Sequence, residues 1–239
     1  MTILDLAIKR GPHTEPLSFP VRRVINSMYC GRNKADVQSH IEELCKEGVK
    51  PPGSVPLFVP ISPYLMTTGD EIQVQRAATS GEVEYLLLIH DDGEVYVGLV
   101  SDHTDREIER LDLPASKQLC SKVVARDVWR LSDVENGWDN LVMSSWALKG
   151  KRKVCYQSSS LACLLPPNRL LELVKGNTVD GLQGGTAILS GTIPISNGEI
   201  VYAERFEASL LDTRSDSELR LAYAISTFPW FKIQPQQPN

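Results

Sequence analysis

The segment Gly81–Glu107, GEVEYLLLIHDDGEVYVGLVSDHTDRE, constrains the fold more than any other stretch of the chain. Two runs of strand-forming residues, Val83–Ile89 and Val95–Val100, flank Asp91-Asp92-Gly93. β-Branched and aromatic residues on both sides of a turn tripeptide ending in glycine predict a β-hairpin. Glu82 and Glu84 stand two apart and share one face of their strand. The position of Asp102 depends on the turn. With Asp91–Gly93 as a three-residue loop and Gly93 as its left-handed residue, His90 pairs with Glu94, and counting outward sets Glu82 opposite Asp102 with Glu84 diagonal to it. A two-residue loop at Asp92-Gly93 shifts the register by one and sends Asp102 to the other face. The three-residue reading gathers three carboxylates where the apolar strand residues begin. Like charges in a poorly solvated site resist joint ionisation. A divalent cation relieves the conflict, and an all-oxygen ligand set suits magnesium, manganese or calcium rather than zinc. The plainer alternative is an exposed hairpin mouth with solvated acids.

Composition narrows the classes open to the chain. Its 239 residues suffice for one large β-rich domain or two small ones, and 42% hydrophobic with 23% charged residues describes a soluble globular protein. The net charge of −5 and the lack of a basic stripe argue against nucleic acid as a partner. No apolar run reaches the length of a membrane span, and no signal-peptide core begins the chain, so neither a membrane nor secretion is expected. Five cysteines without a CxxC pair read as reduced thiols in a cytoplasmic protein.

Along the chain, strands are expected over Thr2–Ile8 and Leu17–Val24, then a glycine turn at Cys30-Gly31-Arg32-Asn33. A helix follows over Lys34–Glu47, stopped by Gly48. His40 and Glu43 lie three apart on one face of that helix. They read either as a base with its orienting carboxylate or as an exposed surface pair. Pro51–Pro63 is proline-dense and extended. Further strands are expected over Thr67–Ala77, Val154–Leu165 and Glu199–Leu210, an acidic turn over Ser132–Asn136, and a helix over Asn168–Lys175. Lys117, in a semi-apolar setting, reads either as a counter-charge for a substrate carboxylate or as a surface lysine. Gly184–Pro194 reads as a strand ending in a small polar turn whose amides and hydroxyls could hold an anion. Several strands punctuated by Gly/Pro turns, with two clear helices, predict a mainly β (α+β) fold with mixed connections.

Five segments resemble, in order, the motifs of the fumarylacetoacetate hydrolase family, particularly its acylpyruvase and oxaloacetate decarboxylase branch. These are Cys30-Gly31-Arg32-Asn33 with His40-x-x-Glu43, Glu82-Val83-Glu84, Ser101–Glu107, Ser116-Lys117, and Ser190–Pro194. Ser101 stands where the family has asparagine, and Asp105 adds an acid. The resemblance implies a mixed β-sandwich or roll forming a single catalytic domain over residues 1–239, with strands, lid helix and proline-rich segment in 1–66 and a metal-binding β core in 67–239. It implies Glu82, Glu84 and Asp102 as ligands of Mg2+ (or Mn2+/Ca2+), and His40, Glu43 and Lys117 as catalytic residues. It further implies Arg32, Asn33, Arg106, Gly191 and Thr192 as substrate-binding residues in a homodimer. The expected activity is hydrolytic or decarboxylating cleavage of a carbon–carbon bond in a small 2-oxo or 1,3-dicarbonyl acid. Hydration or tautomerisation of an enol acid, and a non-catalytic ligand-binding role, are the alternatives.

Overall fold

The structure, a computed structural model, describes residues 1–46 and 50–232. Strands β1 (Thr2–Arg10) and β2 (His13–Val21) open the chain as an antiparallel hairpin, followed by β3 (Arg23–Met28) and helix α1 (Lys34–Lys46). The Asn33 side chain accepts the Ala35 amide at 3.0 Å at the start of α1, and Val37 and Ile41 bury its inner side. The expected helix end at Glu47-Gly48 lies outside the described residues.

After β4 (Leu57–Ile61) come three short strands, β5 (Met66–Thr67), β6 (Glu71–Gln73) and β7 (Thr79–Ser80). The single strand expected over Thr67–Ala77 is therefore broken. Between β5 and β6 the chain bends, with the Gly69 amide bonded to Thr67 Oγ1, so that β5 pairs with one sheet and β6 with another. The central hairpin is β8 (Val83–Ile89) and β9 (Val95–Asp102), followed by β10 (Thr104–Asp105), α2 (Arg106–Leu111) and α3 (Leu113–Leu119). Next come β11 (Lys122–Val124), β12 (Asp127–Arg130), α4 (Leu131–Val134), β13 (Leu141–Lys149) and β14 (Arg152–Ser160). The acidic segment Ser132–Asn136 falls within α4 and the start of a following kinked 3-10 segment, Glu135–Asn140, rather than in a turn. The strand expected to reach Leu165 ends at Ser160, whose hydroxyl accepts the Ala162 amide and closes a helical turn. Helix α5 (Pro167–Gly176), β15 (Thr186–Leu189), β16 (Arg205–Asp212) and β17 (Ser217–Ser226) complete the order. Strand β16 begins six residues later than expected, but Phe206, Ala208 and Leu210 do share its buried face.

Among the described residues the larger sheet runs β2-β1-β12-β9-β8-β15-β3-β4, with β11 and β5 joined at its side. The smaller runs β14-β13-β16-β17-β6. Pairing is mixed: β1–β12, β3–β15, β5–β11 and β6–β17 are parallel, and the other pairs in the two sheets are antiparallel. The architecture is mainly β with few helices, as expected. Strand β8 has no solvent face, since every residue from Val83 to Ile89 is buried. Val83, Tyr85, Leu87 and Ile89 pack toward the smaller sheet with Leu141, Met143, Phe206, Leu210 and Tyr223. Leu86 and Leu88 pack into a second core with Leu4, Phe19, Val24 and Ile61, on the opposite face of the same sheet. This doubly buried position explains the near-continuous apolar run of the strand. Among the described residues no helix is long and apolar enough to cross a membrane, and the five cysteines carry free thiols.

Candidate metal centre

The turn of the central hairpin sets the geometry of the site. Gly93 adopts φ +86°, and the His90 amide bonds the Glu94 carbonyl at 2.9 Å. The register then pairs Ile89 with Val95 and Val83 with Ser101, and at the open end the Asp102 amide bonds the Glu82 carbonyl at 2.9 Å. This is the three-residue loop, and it places Glu82, Glu84 and Asp102 on the face that carries Leu86, Leu88 and Val100 farther along. One carboxylate oxygen from each of the three acids lies within 4.8 Å of the others. Glu84 and Asp102 are buried, and Glu82 is partly so.

Cations surround the acids. Helix α3, capped by the Asp112 carboxylate on the Ala115 amide, carries Lys117 into the cluster. The Lys117 Nζ lies 2.7 Å from Glu82 Oε2, 2.8 Å from Asp102 Oδ2 and 3.6 Å from Glu109 Oε1. Arg106, the first residue of α2, donates from its guanidinium to Glu82 Oε1 at 3.1 Å, to Glu109 Oε2 at 2.7 Å and to the Ser80 hydroxyl at 2.7 Å. Lys122 sits directly across the β9–β11 ladder from Asp102, fully buried, with its Nζ 2.5 Å from Asp102 Oδ1. It also donates to the His103 carbonyl at 2.8 Å. Glu84 takes a different partner: the Gly191 amide donates to its Oε2 at 2.8 Å, from a turn in which Gly191 holds φ +85°.

These contacts divide the acids by charge state. Burial, reinforced by the neighbouring Asp102 and Glu82 carboxylates, pushes the Glu84 carboxyl well above the usual range. Burial acts the same way on Asp102, but the ammonium groups of Lys117 and Lys122 overcome it and hold the carboxyl well below that range. Glu109 is likewise held low by Arg106 and Lys117 against its burial. Both Asp102 oxygens are held by charge at short range, without hydrogen bonds of good alignment.

A divalent cation fits this chemistry. The three converging oxygens form a hard donor set, and Glu84 is a buried acid whose ionised form lacks a direct ion-pair partner among the described residues. The cluster can therefore hold magnesium, manganese or calcium.

The other sequence-derived site residues divide into three groups. Lys117 and Arg106 are brought into the cluster, and Gly191 borders it through Glu84. Thr192 donates its hydroxyl to the Val83 carbonyl at 2.9 Å and accepts from Gln157 Nε2 at 2.7 Å, which ties the turn to β8 and β14. Arg32 forms a bidentate pair with Asp139 at 2.7 and 2.9 Å, and Asn33 bonds the Ala35 amide at the start of α1. His40 and Glu43 belong to α1, and their side chains lie outside the described residues.

The sequence reading missed Glu109 and Lys122. The spacing Arg106-x-x-Glu109 on one helical turn is a signal that could have found the first. The second emerges only from the register of β11. A third group, His103, lies beside the site but faces the other core, where Tyr223 and Thr79 hydroxyls meet its two ring nitrogens at 2.8 Å each. Burial lowers its pKa to about 3, so it is a neutral member of that core.

The fold is that of the fumarylacetoacetate hydrolase superfamily. Similar in structure are Cg1458 with inhibitor (TM-score 0.65, 16% identity, covering 92% of this chain and 88% of that one), 2-keto-3-deoxy-D-arabinonate dehydratase complexed with magnesium and 2,5-dioxopentanoate (0.59, 15%, 89% and 75%), and 4-oxalocrotonate decarboxylase from Pseudomonas putida G7 complexed with magnesium and adipate (0.54, 10%, 85% and 77%). No curated protein matches the chain in sequence. The chain belongs to the family described as "Protein of unknown function (DUF2848)", which matches residues 27–223.

Proposed function

We propose that this protein is a divalent-metal-dependent enzyme that cleaves a carbon–carbon bond in a small 2-oxo or 1,3-dicarbonyl acid, by hydrolysis or decarboxylation. The convergence of Glu82, Glu84 and Asp102 within 4.8 Å, beside the buried Lys117 ammonium, carries this reading. Glu82, Glu84 and Asp102 would hold a magnesium or manganese ion, which would supply Lewis-acid stabilisation of negative charge developing in the substrate. Lys117 neutralises the substrate carboxylate or a developing oxyanion. Burial acts to lower its pKa, but the Asp102, Glu82 and Glu109 carboxylates outweigh burial and hold it well above the ordinary lysine value, so it acts as a permanent positive charge and not as a base. Arg106 orients Glu82 from behind. His40, with Glu43 fixing its tautomer, takes a proton from water in the hydrolytic form of the reaction. Substrate contacts from Arg32, Asn33, Arg106, Gly191 and Thr192 belong to the same proposal, as does a single catalytic unit over residues 1–239 acting as a cytoplasmic homodimer.

Dehydration or hydration of a 2-oxo acid is a second reading, supported by the similarity in fold to the arabinonate dehydratase. It needs the cation and Lys117 but not the His40 base. The deciding experiment is a turnover screen of acylpyruvates, oxaloacetate and other 2-oxo acids, with and without magnesium or manganese, following pyruvate release. Glu84→Gln should be silent in every assay in which the wild type is active; equal rates would refute the metal assignment. Full activity of His40→Ala would favour the hydratase reading. Absence of cation binding by calorimetry would leave a ligand-binding protein of the same fold.

A further inference from the structure

We infer that Lys122 is a positioning residue that restricts Asp102 to one coordinating oxygen and so biases the metal centre toward a small six-coordinate ion. The inference rests on the metal-binding reading of Glu82, Glu84 and Asp102. Lys122 faces Asp102 directly across an antiparallel ladder, and both residues are fully buried. Its Nζ meets Oδ1 at 2.5 Å and the His103 carbonyl at 2.8 Å, so the ammonium is fixed at two points on the same turn of chain. That contact occupies Oδ1. Oδ2 points to the other side, where Lys117 now lies 2.8 Å away, and it is the oxygen left for a cation.

The coordination chemistry turns this asymmetry into a preference. Magnesium takes six oxygens in near-octahedral geometry, mostly one per carboxylate, whereas calcium takes up to eight and readily uses both oxygens of one carboxylate. A carboxylate with one oxygen held by a buried ammonium is disfavoured from the bidentate grip, because a second positive charge at that oxygen is repelled. Glu84 is constrained in a related way, since Gly191 holds one of its oxygens at 2.8 Å, but an amide shared with a cation opposes bidentate binding less than a full positive charge does. Lys117 differs from Lys122. It has three acidic partners, one of them Glu109 outside the ligand set, and can transfer to that acid as a cation enters. Lys122 has Asp102 as its one acidic partner among the described residues.

The test is calorimetric titration of the full chain, stripped with chelator, with Mg2+ and separately with Ca2+. Wild type should prefer Mg2+ to a degree that Lys122→Met reduces by about tenfold in the ratio of the two dissociation constants, the scale on which groups behind a ligand act. Lys122→Gln, which keeps a donor for the His103 carbonyl, should shift the ratio the same way, and it provides the measurement if the methionine variant does not fold. A change of equal factor in both affinities, or none, would overturn the inference while leaving the metal centre intact, because a counter-ion acting by charge alone does not distinguish two divalent ions. Failure of the wild type to bind either ion would overturn the metal-binding reading together with it.

Discussion

Replacing Asp102 with Asn tests the charge arrangement without any metal. The side chain keeps its shape but loses the charge that two ammonium groups share. Lys117 retains Glu82 at 2.7 Å and Glu109 at 3.6 Å, so the loss falls mainly on Lys122, which keeps only the His103 carbonyl. Lys122 is fully buried, and stranding a buried charge typically costs about 3–5 kcal/mol. For a chain of this size each kcal/mol moves the melting temperature by about 2–4 °C, so Asp102→Asn should melt roughly 6–20 °C below wild type in chelator. The double variant Asp102→Asn/Lys122→Met removes both charges and should recover a substantial part of the loss, giving a coupling energy of about 2 kcal/mol or more in urea unfolding. An Asp102→Asn variant within about 1 kcal/mol of wild type, or a double variant no better than the single, would refute the account of Lys122 as a charge that depends on Asp102.

Two further outcomes follow from the geometry. Gly191→Ala forces a β-carbon onto a residue at φ +85°, 3.1 Å from the Ser27 carbonyl; it should cost about 1–2 kcal/mol from the left-handed conformation and weaken Mg2+ binding by displacing the amide that holds Glu84, and unchanged unfolding and titration curves would contradict this. With an aromatic disulfide reagent, the exposed Cys45 and Cys155 should react quickly in native protein, while Cys30 and Cys120 should react only after unfolding, since both are buried and burial raises the Cys120 thiol to about 11; rapid native labelling of four or more thiols would refute the packing described.

Much of the site was legible because a hairpin is a local object. Asp91-Asp92-Gly93 determines the loop, the loop determines the register, and the register places three acids on one face without reference to the rest of the fold. Lys117 and Arg106 were accessible through motif resemblance. Lys122 was not, since Ser121-Lys122-Val123 has the look of a surface lysine entering a strand, and its partner depends on a pairing between segments 20 residues apart joined through two helices. The strands misjudged were of the same kind. Thr67–Ala77 has strand composition throughout, but competition between two sheets divides it, and β16 begins only where β13 and β17 are present on both sides to pair with it. Arg32 and Asn33 show the converse, a motif whose side chains are engaged with Asp139 and the start of α1.

The burial of β8 on both faces bears on how such a centre can diversify. A strand enclosed by two cores resists local opening, so its amides should be among the slowest to exchange, and the acids at its end are mounted on a strand buried on both faces. A ligand set held this way is preorganised: a cation entering it loses little to the ordering of side chains. Substitution within the strand, however, disturbs two cores at once. On the proposed function, new substrate preferences would therefore be more accessible through α1 and the connecting turns, which can change without disturbing the frame that holds the carboxylates.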